Sequence, residues 1–314
     1  MPRHRPGRAA AAGRRARLSE PGSPICTPDW LALREPADTD ARSTELAELL
    51  AAHLADLPTD GSGPLHVRDL GCGTGSMGRW LAPRLPGPQR WTLHDRDPVV
   101  LARAAATMPA DAADGTAVTA EAAPGDLTGL GVDELAGTAL VTASALLDLL
   151  TRAEVDALAD ACAATGTAVL LALSVSGTVV LDPPDELDAA FAAAFDAHQQ
   201  REVDGRVLLG PDSGAYALVA FGTRGMAVQC RPTPWRLGPR EAALTEEWLR
   251  GWVDAACVQR PELAAHADAY LERRLAEIAD GALRVVVGHV DVLALPGESL
   301  PGESLPGEPA GEAR

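Results

Sequence analysis

The chain has 314 residues, 46% of them hydrophobic, and its 44 acidic against 27 basic side chains give a net charge of −17. That length supplies one large domain or two small ones with an ordinary core, and the acidic balance excludes a broad nucleic-acid or anionic-membrane footprint. Lysine and asparagine are absent, which removes lysine Schiff-base chemistry and any catalytic asparagine.

Residues 1–24 carry Arg3, Arg5, Arg8, Arg14, Arg15 and Arg17 without a long apolar stretch. They read as a disordered basic tail, not as a signal peptide. Residues 25–57 read as a lead-in segment and a helix. The stretch 25–42 is too polar and irregular for a core strand, yet Trp30 calls for burial, so it is expected to lie over the main domain. From Ser43, the residues Leu46, Leu49, Leu50, Leu54 and Leu57 share one face at helical spacing.

Residues 58–295 alternate between strand and helix. A short apolar run at 65–70 is followed by a glycine turn and a helix that Pro86-Gly87-Pro88 ends. Trp91–Asp95 reads as a second strand, and Asp97-Pro98 as N-cap and first helical position. A third strand is expected near Ala117–Ala122 and a fourth at Thr138–Ala143. Thr151 with Glu154 forms a capping box for a helix that stops before Gly166. The apolar run Thr167–Val175 fits a central strand buried on both faces. Residues 182–213 read as a partly helical insertion or lid, and a helix and a strand follow to about Leu237. Helices at about 240–257 and 261–280 precede a last strand, Leu283–Leu295. This order implies an α/β fold: a doubly wound, mostly parallel, Rossmann-like sheet of seven strands with helices on both faces. Residues 296–314, built on Pro-Gly-Glu-Ser-Leu repeats, are expected to be a disordered tail.

The five cysteines, Cys26, Cys72, Cys162, Cys230 and Cys257, are scattered and contain no Cys-x-x-Cys pair. They fit free thiols in the cytoplasm and no metal site. No apolar run reaches the roughly 18 residues of a membrane span.

The chemistry concentrates in Asp69-Leu70-Gly71-Cys72-Gly73-Thr74-Gly75. Glycines here free the backbone for a tight turn and for close ligand approach, and the helix start that follows favours an anionic group. Two readings compete. Gly73-x-Gly75-x-x-Gly78 matches the dinucleotide fingerprint, with Asp95 as ribose ligand of an NAD(P)-dependent oxidoreductase. The fuller pattern, Asp69-x-Gly71-x-Gly73-x-Gly75, resembles motif I of the class I, Rossmann-like S-adenosylmethionine-dependent methyltransferases. His94-Asp95-Arg96-Asp97-Pro98 resembles that family's acidic end of the second strand, Gly125-Asp126-Leu127 its adenine segment, and Thr142-Ala143-Ser144-Ala145-Leu146-Leu147-Asp148 its segment after the fourth strand. The resemblance spans about 43–295.

What the resemblance implies is S-adenosylmethionine as cofactor, held by Asp69, Gly71, Cys72, Gly73, Thr74, Gly75, Asp95, Arg96, Asp126, Leu127 and Ala143. A ribose diol suits the carboxylate of Asp95, and a sulfonium suits an acidic pocket. Methyl transfer needs alignment above all, and a base only where the nucleophile sheds a proton. Asp148, near the expected methyl position, and His198, in the insertion, are the candidate catalytic residues. Each also reads as structural: Asp148 as a helix-start carboxylate, His198 as a packed or solvated helical histidine. Asp182-Pro183-Pro184-Asp185 lacks the aromatic end of the amino-methyltransferase signature it resembles and reads as a loop before a helix. Trp30 and Trp235 read as core or as pocket wall.

The expected acceptor is a small molecule, in specialised metabolism, with neither nucleic acid nor membrane as partner and a monomer or homodimer as the assembly. A protein or RNA methyltransferase and a cofactor-binding protein without catalysis are the alternatives.

Overall fold

The computed structural model describes residues 27–57, 63–125 and 131–297. The two tails, apart from Pro296 and Gly297, lie outside the described residues, as do Asp126 and Leu127.

The lead-in segment is a helix, α1 (Pro28–Ala41), capped by the Thr27 hydroxyl and opened by Pro28. A second helix, α2 (Thr44–Ala55), starts at Ser43, whose side chain accepts the Leu46 N–H. The sheet then begins with β1 (Leu65–Leu70), α3 (Ser76–Leu81), β2 (Gln89–Asp95), α4 (Pro98–Ala106), β3 (Val118–Pro124), the short α5 (Val132–Leu135) and β4 (Leu140–Ser144). Next come α6 (Arg152–Thr165), β5 (Ala168–Asp182), α7 (Asp188–Gln199), a two-strand ribbon β6 (Glu202–Val203) and β7 (Arg206–Val207), and α8 (Ser213–Gly222). The chain closes with β8 (Ala227–Pro232), β9 (Trp235–Leu237), α9 (Ala242–Gln259), α10 (Ala264–Ala279) and β10 (Arg284–Leu295).

Seven strands run in the order β3-β2-β1-β4-β5-β10-β8, and β9 adds an eighth beside β10. The pairings from β3 to β5 are parallel, while β10 is antiparallel to β5, β8 and β9. This is the doubly wound, mostly parallel sheet expected. One face packs α2, α3 and α4 through Leu46, Leu50, Trp80, Leu81 and Leu101 against Val67, Leu93, Leu140 and Leu170. The other packs α6 and α8 through Val155, Cys162 and Phe221 against Val141, Val169 and Val292. Burying each such large apolar side chain favours folding by about 1.5–3 kcal/mol.

Strand β5 is longer than the expected Thr167–Val175. Its pairing with β4 ends at Ala172, but β10 accompanies it on to Asp182. The two strands form an arm that projects past the carboxyl end of the parallel sheet. Around this arm, α1, α7, α9, α10 and β9 assemble a third core through Trp30, Phe191, Trp235, Trp248, Trp252 and Tyr270. Within Asp182-Pro183-Pro184-Asp185, Asp182 ends β5 and the other three residues form a loop at the tip, anchored when Arg273 and Arg274 donate to Asp185 (2.7 Å) and to the Pro183 carbonyl (2.7 Å).

Candidate functional site

The glycine turn sits where β1 ends and α3 begins. Gly71, Gly73 and Gly75 have φ of +62°, +53° and +86°, the left-handed region that glycine enters without a Cβ penalty. The turn is fixed from within and from β2: the Gly75 N–H donates to the Cys72 carbonyl (2.8 Å), and the Cys72 N–H to the His94 carbonyl (2.9 Å). The Cys72 thiol is buried, which pushes its pKa up, so it is a packing group and not a nucleophile. Thr74 is buried, and its carbonyl accepts from Arg79.

Asp95, at the end of β2, closes on the turn. One carboxylate oxygen accepts the Gly73 N–H at 2.9 Å and the other the Asp97 N–H at 2.9 Å. Each oxygen keeps a second lone pair for a ligand donor. Arg96 beside it is exposed. His94 meets Arg68 (3.2 Å) instead of the turn, and burial with the Arg68 charge lowers its pKa to about 4.

Asp69 is fully buried and neither carboxylate oxygen has a hydrogen-bond partner. Burial pushes its pKa up to about 8, against the pull of Arg42; Asp95 adds to the rise. Thr142 on β4, paired in register with Asp69, is also fully buried with an unpartnered hydroxyl. Ala143, next along β4, is buried against the opposite face of the sheet. Buried polar atoms of this kind are normally satisfied, so these orphans mark space for a polar ligand or water.

Helix α1 covers the turn. A Cβ on Gly73 would lie 3.2 Å from a Leu31 methyl, and Glu35 takes two N–H bonds from Arg79, each 2.7 Å. At the end of α1, Arg42 is buried and donates to the Ser76 hydroxyl (2.9 Å) and the Ser144 hydroxyl (3.1 Å). It thereby spans the first residue of α3 and the last of β4. The sequence offered no sign of this role, since it depends on contacts 34 and 102 residues away.

Asp148 lies on the 3-10 turn after β4, partly exposed, its pKa raised to about 6 by burial with Arg34 pulling the other way. His198 is buried in the last turn of α7, where its carbonyl accepts from Arg201. A further polar group, unmarked in the sequence, links α1 to the arm. Arg34 pairs with Asp38 (2.9 Å), which also accepts from Trp235 Nε1 (3.0 Å), and the Trp235 ring lies 5.1 Å from that of His289. Trp235 and Trp30 both belong to the third core, Trp235 with a polar anchor through Asp38.

A glycine turn after β1, an acid at the end of β2 that grips it, and a parallel sheet closed by an antiparallel strand together match what the motif resemblance implies. The fold is a doubly wound, Rossmann-like α/β sheet. No family model matches the chain. Over 83 residues it is 39% identical to trans-aconitate 2-methyltransferase of Streptomyces avermitilis, a match spanning 26% of this chain and 29% of that protein. The chain therefore spans under a third of the curated relative it matches. Among solved structures, it is similar to a SAM-dependent methyltransferase from Geobacter sulfurreducens in complex with S-adenosyl-L-homocysteine. That likeness has 17% identity and a TM-score of 0.41, and covers 87% of this chain and 100% of that one. It is also similar to the cyclopropane synthase MmaA2 from Mycobacterium tuberculosis, with 12% identity, a TM-score of 0.43 and coverage of 85% and 94%. Among the described residues, no helix is long and apolar enough to cross a membrane, and no cluster of His, Cys, Asp and Glu could hold a metal ion.

Proposed function

We propose that this chain is an S-adenosylmethionine-dependent methyltransferase acting on a small-molecule acceptor. The observation that carries the reading is the bond from Gly73 to Asp95 with the buried, unpartnered Asp69 directly before the turn. A buried carboxyl at that point offers a pyrophosphate no N–H donor, and it suits an ammonium group, whose charge would favour the carboxylate. The residues fit the cofactor on both counts: the orphaned Asp69 oxygens lack a donor, and the open lone pairs of Asp95 suit a ribose diol. Gly71, Cys72, Gly73, Thr74 and Gly75 would form the floor, and Arg96, Asp126 and Leu127 the adenosine side; Ala143, whose side chain packs on the opposite face, would meet the cofactor only through its backbone.

The bound cofactor supplies an electrophilic methyl group on a sulfonium. Everything else falls to the chain. The turn and Asp95 would fix the adenosine end, α1 would shield it from water, and the end of β4 would face the acceptor. Asp148, with its pKa near 6, is ionised at neutral pH and so able to accept a proton from an acceptor hydroxyl or ammonium. His198 is the second candidate base, approached from α7. The trans-aconitate methyltransferase relative supports a small carboxylate-bearing acceptor.

Calorimetry with S-adenosylmethionine tests the cofactor, and a metabolite extract screened for a mass gain of one methyl group tests the transfer. Binding followed by a new methylated product is the expected result. Absence of binding sinks the cofactor reading. Binding with no product from any extract assigns the protein to cofactor binding without catalysis.

A further inference from the structure

Among the described residues, three non-glycine residues have positive φ: Ala145 (+52°), Leu173 (+55°) and Asp204 (+51°). Asp204 lies with Gly205 in the turn of the β6–β7 ribbon, where such angles are ordinary. The other two meet at the carboxyl ends of β4 and β5, where open sheets bind their ligands. There the Ala145 N–H donates to the carbonyl of Ala172 (2.9 Å), the residue before Leu173. A β-bulge accompanies the angle at Leu173. Val290 pairs with Ser174 and Val292 with Leu171, so Ala172 and Leu173 together face Asp291. Leu173 is fully buried, and its N–H donates to one carboxylate oxygen of Asp291 (2.8 Å). The same oxygen accepts the Thr233 hydroxyl (2.8 Å), and the other accepts the Ser43 N–H (2.9 Å). One buried carboxylate thus joins the bulge, the α1–α2 junction and the connection between β8 and β9.

Non-glycine residues keep such angles only where their surroundings over-determine them, and they cluster at functional sites. Asp291 reaches Ser144 and Ala145 by two routes. One runs along the backbone, from the Leu173 N–H past the Ala172 carbonyl to the Ala145 N–H. The other runs through Ser43 to its neighbour Arg42, whose guanidinium donates to the Ser144 hydroxyl (3.1 Å). Both end on the segment that leads from β4 to Asp148. We propose that Asp291 is a positioning residue for methyl transfer, holding residues 144–148 through the bulge at Leu173 so that the acceptor meets the methyl group in line. It acts through the backbone and touches neither cofactor nor acceptor. The inference rests on the transferase reading above and adds a residue from the last strand, on the acceptor side of the site. Displacing such a segment by about 1 Å can cost about a hundredfold in rate.

Asp291→Asn on the full chain is the test, because an amide turns its own N–H toward the N–H of either Leu173 or Ser43 and releases that contact. Formation of the methylated product found in the extract screen should slow by about tenfold to a hundredfold. Calorimetric affinity for S-adenosylhomocysteine should change by less than about threefold, which certifies that the variant has folded. Amide hydrogen exchange over residues 144–148 should speed up in the same variant. Adding Ala145→Gly to Asp291→Asn should recover about threefold or more of the rate, since glycine keeps its angle without help from Asp291. A carboxylate that only stabilised the fold would leave nothing for that glycine to rescue. A rate within about threefold of wild type, unchanged exchange over 144–148, equal losses of rate and affinity, or no recovery with Ala145→Gly each overturns the proposal. A wild-type chain that binds S-adenosylhomocysteine and yields no methylated product overturns the transferase reading instead, a result distinct from these.

Discussion

Glu35 on the first helix and Arg79 beside the glycine turn meet through two parallel N–H···O bonds of 2.7 Å. Arg79 reaches on to the Thr74 carbonyl inside the turn, so the covering helix and the turn are tied through one guanidinium. Both side chains are about a quarter exposed, which screens the pair. Glu35→Gln should therefore cost only about 1 kcal/mol in urea unfolding, with a smaller loss at high salt. A substitution that leaves unfolding unchanged at low salt would show that the tie carries no stability.

Asp95 performs two tasks, gripping the Gly73 amide and the Asp97 amide while presenting lone pairs to a ligand. Asp95→Ala should lower affinity for S-adenosylhomocysteine by about tenfold to a hundredfold, the value of a charged hydrogen bond lost, and Asp95→Asn by less. Calorimetry is the measurement, and wild-type affinity in Asp95→Ala would refute the ribose assignment.

Asp69 gives stability a pH dependence of known sign. Its carboxyl titrates near 8 in the folded chain against about 3.9 unfolded. Below the unfolded value both states bind the proton and its contribution is fully present. As pH rises through the folded value that contribution is lost, because ionisation favours the unfolded chain, with a slope of at most about 1.4 kcal/mol per pH unit. Unfolding free energies of the wild type minus those of Asp69→Asn should fall between about pH 4 and 8 and flatten above. A difference that stays level across this window would mean Asp69 is ionised in the folded chain.

Gly75 combines φ of +86° with a close neighbour: a Cβ there would lie 3.0 Å from the Ala104 backbone. Gly75→Ala should cost about 1–3 kcal/mol of stability through backbone strain, and ligand affinity should fall as the turn shifts. Thermal unfolding with and without S-adenosylhomocysteine reads both, and an unchanged melting temperature would contradict the strain.

Legibility of the chain in its sequence followed the range of the interactions. The glycine turn, the Asp97 cap and the Thr151–Glu154 box are set by neighbours within a few residues, and they stand where spacing put them. The parallel strands β1, β4 and the first half of β5 announced themselves as apolar runs, whereas β3, VTAEAAP with most side chains exposed or half-buried, gave only a weak signal. The helix α1 did not, because its sides face different partners: Leu31 the glycine turn, Trp30 and Ala37 the third core, Arg34 and Asp38 a polar cluster. No single apolar stripe results, and Pro36 interrupts the pattern. The far half of β5 was hidden by Ser174, Ser176, Gly177 and Thr178, which break the apolar run where the strand leaves the sheet and keeps only β10 as partner. Arg42 was illegible for a different reason: a latch between Ser76 and Ser144 exists only once the chain has folded.

The cap around the arm is fastened unequally on its two sides. Toward β5 and β10 it continues into the sheet as unbroken backbone, with ladder pairing from Val169–Ala294 out to Asp182–Arg284. Toward the glycine turn it is held by side chains alone: Glu35 on Arg79, Leu31 on Gly73, and Arg42 on two serines. The first side is held by main-chain pairing, and the second depends on a few side-chain contacts that close directly on the glycine turn.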